Sequence, residues 1–353
     1  MEDPEIVTVV VPACNEDRFI GACLSSIREQ EYSRLQVIVV DDASTDSTAD
    51  VVQAHLREDD RIELVHNDRR NIPSSLNLAL ARARGRWLVR VDAHSTVPPT
   101  YVRTAVRRLA QDSWGGVGGR KDGTGHTPAG RAIAVAMSSR LAVGNSTYHF
   151  GTRAQEVDHL PFGAYPVDLL RSLGGWDERL TANEDFELDY RLRRTGRRLL
   201  FDPDMAIRWH CRQSIPDLFR QYQRYGRGKL DVVLLHPDSL HPRHLAPPVF
   251  VVYLVGLLLV GARRPRWAQA MLAPYLAALA IESARLASQL DRPAERLRVP
   301  VAIAAMHTAW GIGFWSGVWR RLVTGRRGSS QNTDVRPPRE GITRWLLHGR
   351  SRA

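Results

Sequence analysis

The residues with the clearest chemical potential are Asp92-Ala93-His94, taken with a second acidic group, Asn183-Glu184-Asp185. Residues 87–91 are apolar except for Arg90 and read as a strand that delivers Asp92 and His94 at its end. On an extended backbone, side chains at i and i+2 point to the same side. A carboxylate and an imidazole aimed at one point can hold a divalent cation. Followed far along the chain by an acidic pair, they point to metal-assisted chemistry on a phosphorylated ligand. Alone, such a triplet is most often an ordinary turn. Its weight comes from two further apolar runs that end in polar loops, Val-Val-Val-Pro-Ala-Cys-Asn-Glu at 9–16 and Val-Val-Asp-Asp-Ala-Ser at 39–44.

Those groups need elements to position them. Residues 6–11 are β-branched and bounded by Pro12, the pattern of a buried strand. Residues 17–30 place Ile20, Cys23, Leu24 and Ile27 at helical spacing. The alternation continues with strands at 35–40, 62–66 and 87–91 and helices at 47–57 and 74–83. It predicts an α/β fold, a mostly parallel sheet with helices on both faces. Ligands of such sheets sit beyond the carboxyl ends of the strands, and three of the polar loops fall at such ends. From about 115 to 210 the pattern loosens around Gly-rich turns. A helix is expected over 183–194, with Asn183 as N-cap and both acids in its first turn. Residues 236–248, rich in His and Pro, read as a linker. The expected division is a catalytic domain at 1–235, the linker, membrane-associated helices at 249–323 and a basic flexible tail at 324–353, with an amphipathic stretch at 342–347.

Composition narrows the partners. Charged residues make up 25% and apolar ones 43% of the 353 residues, a globular mixture. Three scattered cysteines give neither a disulfide framework nor a zinc pair, which fits a reducing cytosolic compartment. The acidic N-terminus lacks the charged and apolar stretches of a secretory signal. A net charge of +11 attracts phosphate in nucleotides, nucleic acid or anionic lipid. No nucleic-acid module is visible, so no nucleic-acid partner is expected. The arginines cluster instead beside three apolar stretches, near 245–262, 268–281 and 299–319. The first spans about 18 residues, or about 27 Å of helix, barely a bilayer core. The third carries Trp310, Trp315 and Trp319 toward one end, as interfacial segments do. Each basic residue near anionic lipid adds about 1 kcal/mol. Every connection is basic, so charge does not choose between spanning and re-entrant arrangements.

The chain resembles a family 2 glycosyltransferase with a GT-A fold, and most of all the succinoglycan-type exopolysaccharide enzymes that append membrane helices to a cytosolic catalytic domain. The resemblance covers roughly residues 6–235. It rests on six motifs in the family's order: VVVPACNE, VVDDASTDST, RWLVRVDAH, PFGAYPVDLLRSLGGWDERL, NEDFELDYRLRRTG and QYQRYGRG.

The resemblance implies roles. Asp42 would accept a hydrogen bond from the nucleobase, and Pro12, Ala13, Asn15 and Glu16 would line the nucleotide, with Asp92 completing the nucleotide-sugar site. Cys14 stands where some relatives stack an aromatic. Asp92 and His94 match the metal triplet, with His210 a further candidate, for Mn²⁺ or Mg²⁺. Asp185 matches the catalytic base, which must take the proton of an acceptor hydroxyl and would be kept ionised by the helix N-terminus. Gly175, Trp176 and Glu184 match the acceptor side. Gln221, Arg224 and Tyr225 match a QxxRW element, with Tyr for Trp, that meets the diphosphate or the glycan. The implied activity is inverting transfer of a hexose from a nucleotide-diphosphate sugar, UDP-linked, to a lipid-linked saccharide or polysaccharide at the cytosolic face of the cell membrane. A polyprenyl-phosphate acceptor, or a nucleotide-binding membrane scaffold without activity, are the alternatives.

Overall fold

A computed structural model of the chain describes residues 5–111 and 114–324. The strands are β1 (Val7–Ala13), β2 (Leu35–Asp41), β3 (Ile62–His66), β4 (Trp87–Arg90), β5 (Ser95–Thr96), β6 (Trp114–Gly118), β7 (Lys121–Thr124), β8 (Gln155–Val157), β9 (Ala164–Pro166), β10 (Arg198–Phe201) and β11 (Ile207–His210). Helices α1 (Ile20–Arg28), α2 (Thr48–Leu56), α3 (Ile72–Arg82), α4 (Tyr101–Leu109), α5 (Pro128–Met137), α6 (Arg140–Val143) and α7 (Val167–Ser172) alternate with them. Then come α8 (Glu184–Arg194), α9 (Ile215–Leu235), α10 (Pro242–Gly261), α11 (Pro265–Ala287), α12 (Pro293–Arg296) and α13 (Arg298–Thr324).

The main sheet has the order β3-β2-β1-β4-β9-β6-β10-β8. The chain runs outward from β1 to β3, then crosses back to lay β4 on the other side of β1, all four parallel. The connections therefore diverge between β1 and β4, the topological switch point where α/β sheets open a crevice. Alternation along the strands supplies both faces. Val9, Val11, Val37 and Val39 enter one core cluster, while Val10, Ile38 and Val40 enter the other. The short β9 pairs antiparallel with β4 and β6. A second sheet, β5-β11-β7, stands beyond the end of β4.

One local expectation is corrected here. The strand ends at Arg90, and Asp92-Ala93-His94 forms a turn in which the Ser95 amide donates to the Asp92 carbonyl at 3.0 Å. Strand alternation does not place Asp92 and His94; the turn and the pairing of β5 with β11 do, and both side chains reach the cleft wall. The stretch expected as a linker is also ordered: it holds a 3₁₀ turn (Pro237–Ser239) and the first turns of α10, with Pro247 and Pro248 inside the helix.

Three C-terminal segments, Pro242–Gly261, Pro265–Ala287 and Pro293–Val323, are long and apolar enough to cross a membrane. Only 11% of the apolar window in each of the first two is buried against protein, against 44% in the third. The difference arises because α13 lies along α9. A Cβ at Gly226 would collide with the Trp310 carbonyl, and one at Gly313 with the Gln223 carbonyl, so glycines set the backbone approach. Leu258, Leu259, Ile281 and Trp319 leave most of their surface uncovered, and large exposed apolar patches mark sites of partner or membrane contact. The tail from 325 onward, with the amphipathic stretch at 342–347, lies outside the described residues.

Candidate active site

Beyond β1 the chain turns at Asn15, whose φ is 57°. The Asn15 amide donates to Ser44 Oγ at 2.9 Å and its Oδ1 accepts the Thr45 amide at 2.7 Å. The side chain thus ties the loop after β1 to the loop after β2 and stands off the cleft wall, which Pro12, Ala13, Cys14, Glu16 and Asp42 form instead. Asp42 accepts Asn67 Nδ2 at 2.8 Å. Burial pushes its carboxyl up from the ordinary value, while the Asn71 amide and the Ser75 hydroxyl pull it down. A fixed, hydrogen-bonded carboxylate at this wall suits recognition of N–H donors on a ligand.

The centre of the site is Arg90, 3% exposed. Its Nε donates to Asp92 Oδ1 at 3.0 Å, and its Nη1 donates to both oxygens of Asp185 at 2.7 and 2.8 Å. Nη1 also reaches Glu184 Oε1 at 3.4 Å. One guanidinium therefore gathers three nearly buried carboxylates from two distant segments, with two negative charges in excess when all are ionised. Such an excess is costly in a low-dielectric pocket unless a cation or donor groups offset it. Asp185 sits in the first turn of α8, where the helix N-terminus favours an anion. Burial nonetheless pushes its carboxyl up to about 6 against the pull of Arg90, so it is ionised at neutral pH. Asn183 occupies the N-cap position with φ 63°, but its side chain does not cap the helix; it donates to the Tyr225 carbonyl at 3.0 Å.

Trp176, expected on the acceptor side, is a support of the site instead. It is 2% exposed, and its Nε1 donates to Asp185 Oδ1 at 3.1 Å. Gly175, at φ 72°, packs on Asn77, whose Oδ1 accepts the Trp176 amide at 2.8 Å. Neither residue forms cleft wall; the turn fixes the indole, and the indole fixes Asp185.

His94 lies on the wall, with Nδ1 at 2.9 Å from Glu16 Oε1. His210 does not. Its ring stacks on Phe19 at 4.5 Å, and its Nδ1 lies 2.7 Å from His126 Nε2. Burial and the neighbouring His126 and His94 hold its pKa below the ordinary value. Its backbone amide supports the site by donating to the His94 carbonyl at 3.0 Å. Among the described residues no three His, Cys, Asp or Glu side chains cluster to hold a cation by themselves. Asp92 and His94 are a sparse donor pair. That fits Mg²⁺ or Mn²⁺, which take the rest of their shell from diphosphate and water.

On α9, Gln221 Nε2 donates to the Tyr225 hydroxyl at 2.9 Å and its buried Oε1 has no partner. Gln221, Arg224 and Tyr225 share the wall with Asp185, and Lys121 stands over the Trp209 ring at 3.5 Å. Burial lowers the Lys121 pKa to about 8. All these groups border one cleft of about 770 Å³, which continues past α9 to Pro247, Phe250, Tyr275 and Trp310 of the apolar helices. Reasoning from sequence missed Arg90 and Lys121. The signal for Arg90 was present, as the single charge inside an apolar strand.

Asp42, Asp92, His94 and Asp185 thus line one crevice at the topological switch point, where α/β sheets bind their ligands. The sequence matches the family description "Glycosyl transferase family 2" over residues 8–165 and "Glycosyl transferase family group 2" over residues 87–282. The chain belongs to the family 2 glycosyltransferases, and its sheet and flanking helices are those of a GT-A fold. It is 28% identical to the succinoglycan biosynthesis protein ExoA of Rhizobium meliloti (strain 1021), an alignment covering 90% of this chain and 96% of that one. A dolichyl N-acetyl-alpha-D-glucosaminyl phosphate 3-beta-D-2,3-diacetamido-2,3-dideoxy-beta-D-glucuronosyltransferase of Methanococcus voltae is 20% identical over 88% of this chain and 97% of its own length. Among solved structures, the mannosyltransferase PcManGT from Pyrobaculum calidifontis, in complex with GDP-Man and Mn²⁺, superposes with a TM-score of 0.57 at 22% identity. That likeness covers 92% of this chain and 89% of the other.

Proposed function

We propose that this glycosyltransferase inverts the anomeric centre of a hexose as it moves the sugar from a UDP-linked donor to a hydroxyl of a lipid-linked saccharide, at the cytosolic face of the membrane, in exopolysaccharide or cell-envelope glycan synthesis. The observation that carries the proposal is the single Arg90 guanidinium that holds Asp92 and Asp185 on one cleft. The donor base meets Asp42, and its diphosphate lies toward Asp92, His94 and Lys121. A divalent cation held by Asp92 and His94 would neutralise charge on the departing diphosphate.

Asp185 acts on the other side. Its Oδ1 is occupied by both Arg90 and Trp176, whereas Oδ2 accepts only Arg90. Oδ2 therefore keeps a lone pair for the acceptor O–H. As the acceptor oxygen bonds to the anomeric carbon, its proton passes to Oδ2, and the bond from that carbon to the diphosphate oxygen breaks with its electron pair leaving on the nucleotide. Arg90 and Trp176 keep the carboxylate aimed. Tyr225 and Gln221 border the diphosphate end of α9.

The lipid-linked acceptor is supported by the continuation of the cleft into the apolar helices. The dolichyl-phosphate-linked sugar in the name of the Methanococcus voltae relative points the same way, and the succinoglycan relative supports glycan synthesis. The test is a panel of nucleotide sugars with Mn²⁺, scored for nucleotide diphosphate release, followed by lipid-extract acceptors. Asp185→Asn should abolish sugar transfer to the acceptor. Unchanged turnover in that variant would remove Asp185 as base.

A further inference from the structure

Among the described residues, the mechanism leaves the buried cation Lys229 unused. Lys229 is 4% exposed, its Nζ has no hydrogen-bond partner, and it borders the cleft. The ammonium stands over the Phe186 ring at 3.0 Å, and Phe186 directly follows Asp185. A face-on ring attracts a cation, but it accepts none of the N–H bonds that a buried ammonium requires. Arg243 joins it on the same wall, paired with Asp158. Burial, with Arg243 next in weight, lowers the Lys229 pKa to about 7. An arriving anion would reverse that shift.

The position along the cleft says which anion. His244 packs edge-on against Phe186 at 5.7 Å. His244, Pro247 and Phe250 follow at three-residue spacing on α10 and all line the cleft. Phe250 in turn meets Tyr275 of α11 at 4.5 Å. The order is thus base carboxylate, unpaired ammonium, apolar helices. A lipid-linked saccharide has the matching order of reactive sugar, phosphate, lipid chain.

We propose that Lys229, assisted by Arg243, binds the phosphate that joins sugar to lipid in the acceptor, and so measures the reactive hydroxyl onto Asp185. The inference rests on the lipid-linked reading above and is tested without turnover. The full chain in phosphatidylcholine nanodiscs, with EDTA present to keep the donor end free of cation, is titrated with geranylgeranyl diphosphate and with geranylgeraniol. The diphosphate should bind at least about tenfold tighter than the alcohol. Lys229→Met should erase the difference and Lys229→Arg should retain most of it, each read on protein with a retained melting transition. Equal binding of the two probes to the unmodified chain overturns the proposal whatever the variants do. So does a preference that survives in Lys229→Met, or one that phosphatidylglycerol in the nanodisc competes away, which would mark a general anionic-lipid contact. Donor hydrolysis, scored separately, decides the transferase reading. A chain that prefers the diphosphate yet turns over no nucleotide sugar loses that reading and keeps this site.

Discussion

Arg90 Nη1 lies 2.7 and 2.8 Å from the two oxygens of Asp185, although the two residues are 95 positions apart in the chain. On the proposed function, the contact makes one charge the hinge between the donor and acceptor halves of the cleft. Arg90→Met should therefore do more than lower activity. It leaves Asp92, Glu184 and Asp185 buried together, and breaking a buried pair on one side costs about 3 kcal/mol or more. The melting midpoint should fall by several degrees and transfer should vanish. Arg90→Lys, which keeps the charge but loses the fork, should fold and still lose most of its rate. A fully active Arg90→Met enzyme would refute the arrangement.

Asp185 also sets a pH dependence. Its folded pKa is raised from 3.8 to about 6 by burial. Between those values the folded chain holds the proton more tightly than the unfolded one does. The stabilisation that results is complete below the lower value and is lost as pH rises through the upper one. Activity runs the opposite way, because the base must be ionised. Transfer should fall as pH drops through about 6, while Asp185's own contribution to stability rises. A rate that stays flat from pH 7 to 5, measured with saturating donor, would contradict the assignment.

Trp176→Phe isolates the support of the base. The substitution keeps a ring in the buried site but removes the Nε1 bond to Asp185 together with part of the indole's volume. A lower melting midpoint is therefore expected, and the kinetic split reads the bond. A hydrogen bond to a charged group is worth about 1.5–3 kcal/mol. If that bond aims the base, kcat should drop by about ten- to a hundredfold, with the donor KM little changed. Equal loss in KM and kcat would instead point to a direct substrate contact, the role first expected for this residue.

Much of this architecture is visible in the sequence and some of it is not, for physical reasons. The β-branched runs and the helical spacing of Ile20, Cys23, Leu24 and Ile27 are local signals, and they became β1 to β4 and α1 to α3 within a few residues. The insertion of β9 is not local: three residues beside Gly163 carry no period to read. Trp176 and His210 share chemistry with ligand-binding residues, but only tertiary packing decides whether an indole or imidazole faces a cleft or another ring. The Arg90 charge was conspicuous inside its strand, yet its partners lie at residues 92, 184 and 185, and no spacing rule connects them. Lys229 lies in a helix rich in arginine, and nothing local in the sequence says that Phe186, a distant residue of α8, covers it.

The α9–α13 contact gives the last test, because it links the apolar helices to the site. Gly226 meets the Trp310 carbonyl and Gly313 meets that of Gln223, so the two helices touch backbone to backbone. A Gly226→Val side chain has no space and must push α13 away. Overpacking of this kind costs about 1–3 kcal/mol. The displacement would be felt along α9, where Gln221 and Tyr225 bond each other on the cleft wall and Asn183 ties α8 to the Tyr225 carbonyl. Gly226→Val should therefore lower both the melting midpoint and the transfer rate, whereas Gly256→Val, at a position with open space around it, should change neither appreciably. Melting curves and transfer assays on the two variants, in the same detergent, separate a coupled helix from a passive anchor. If Gly226→Val melts early but transfers normally, the apolar helices only tether the enzyme and do not shape its site.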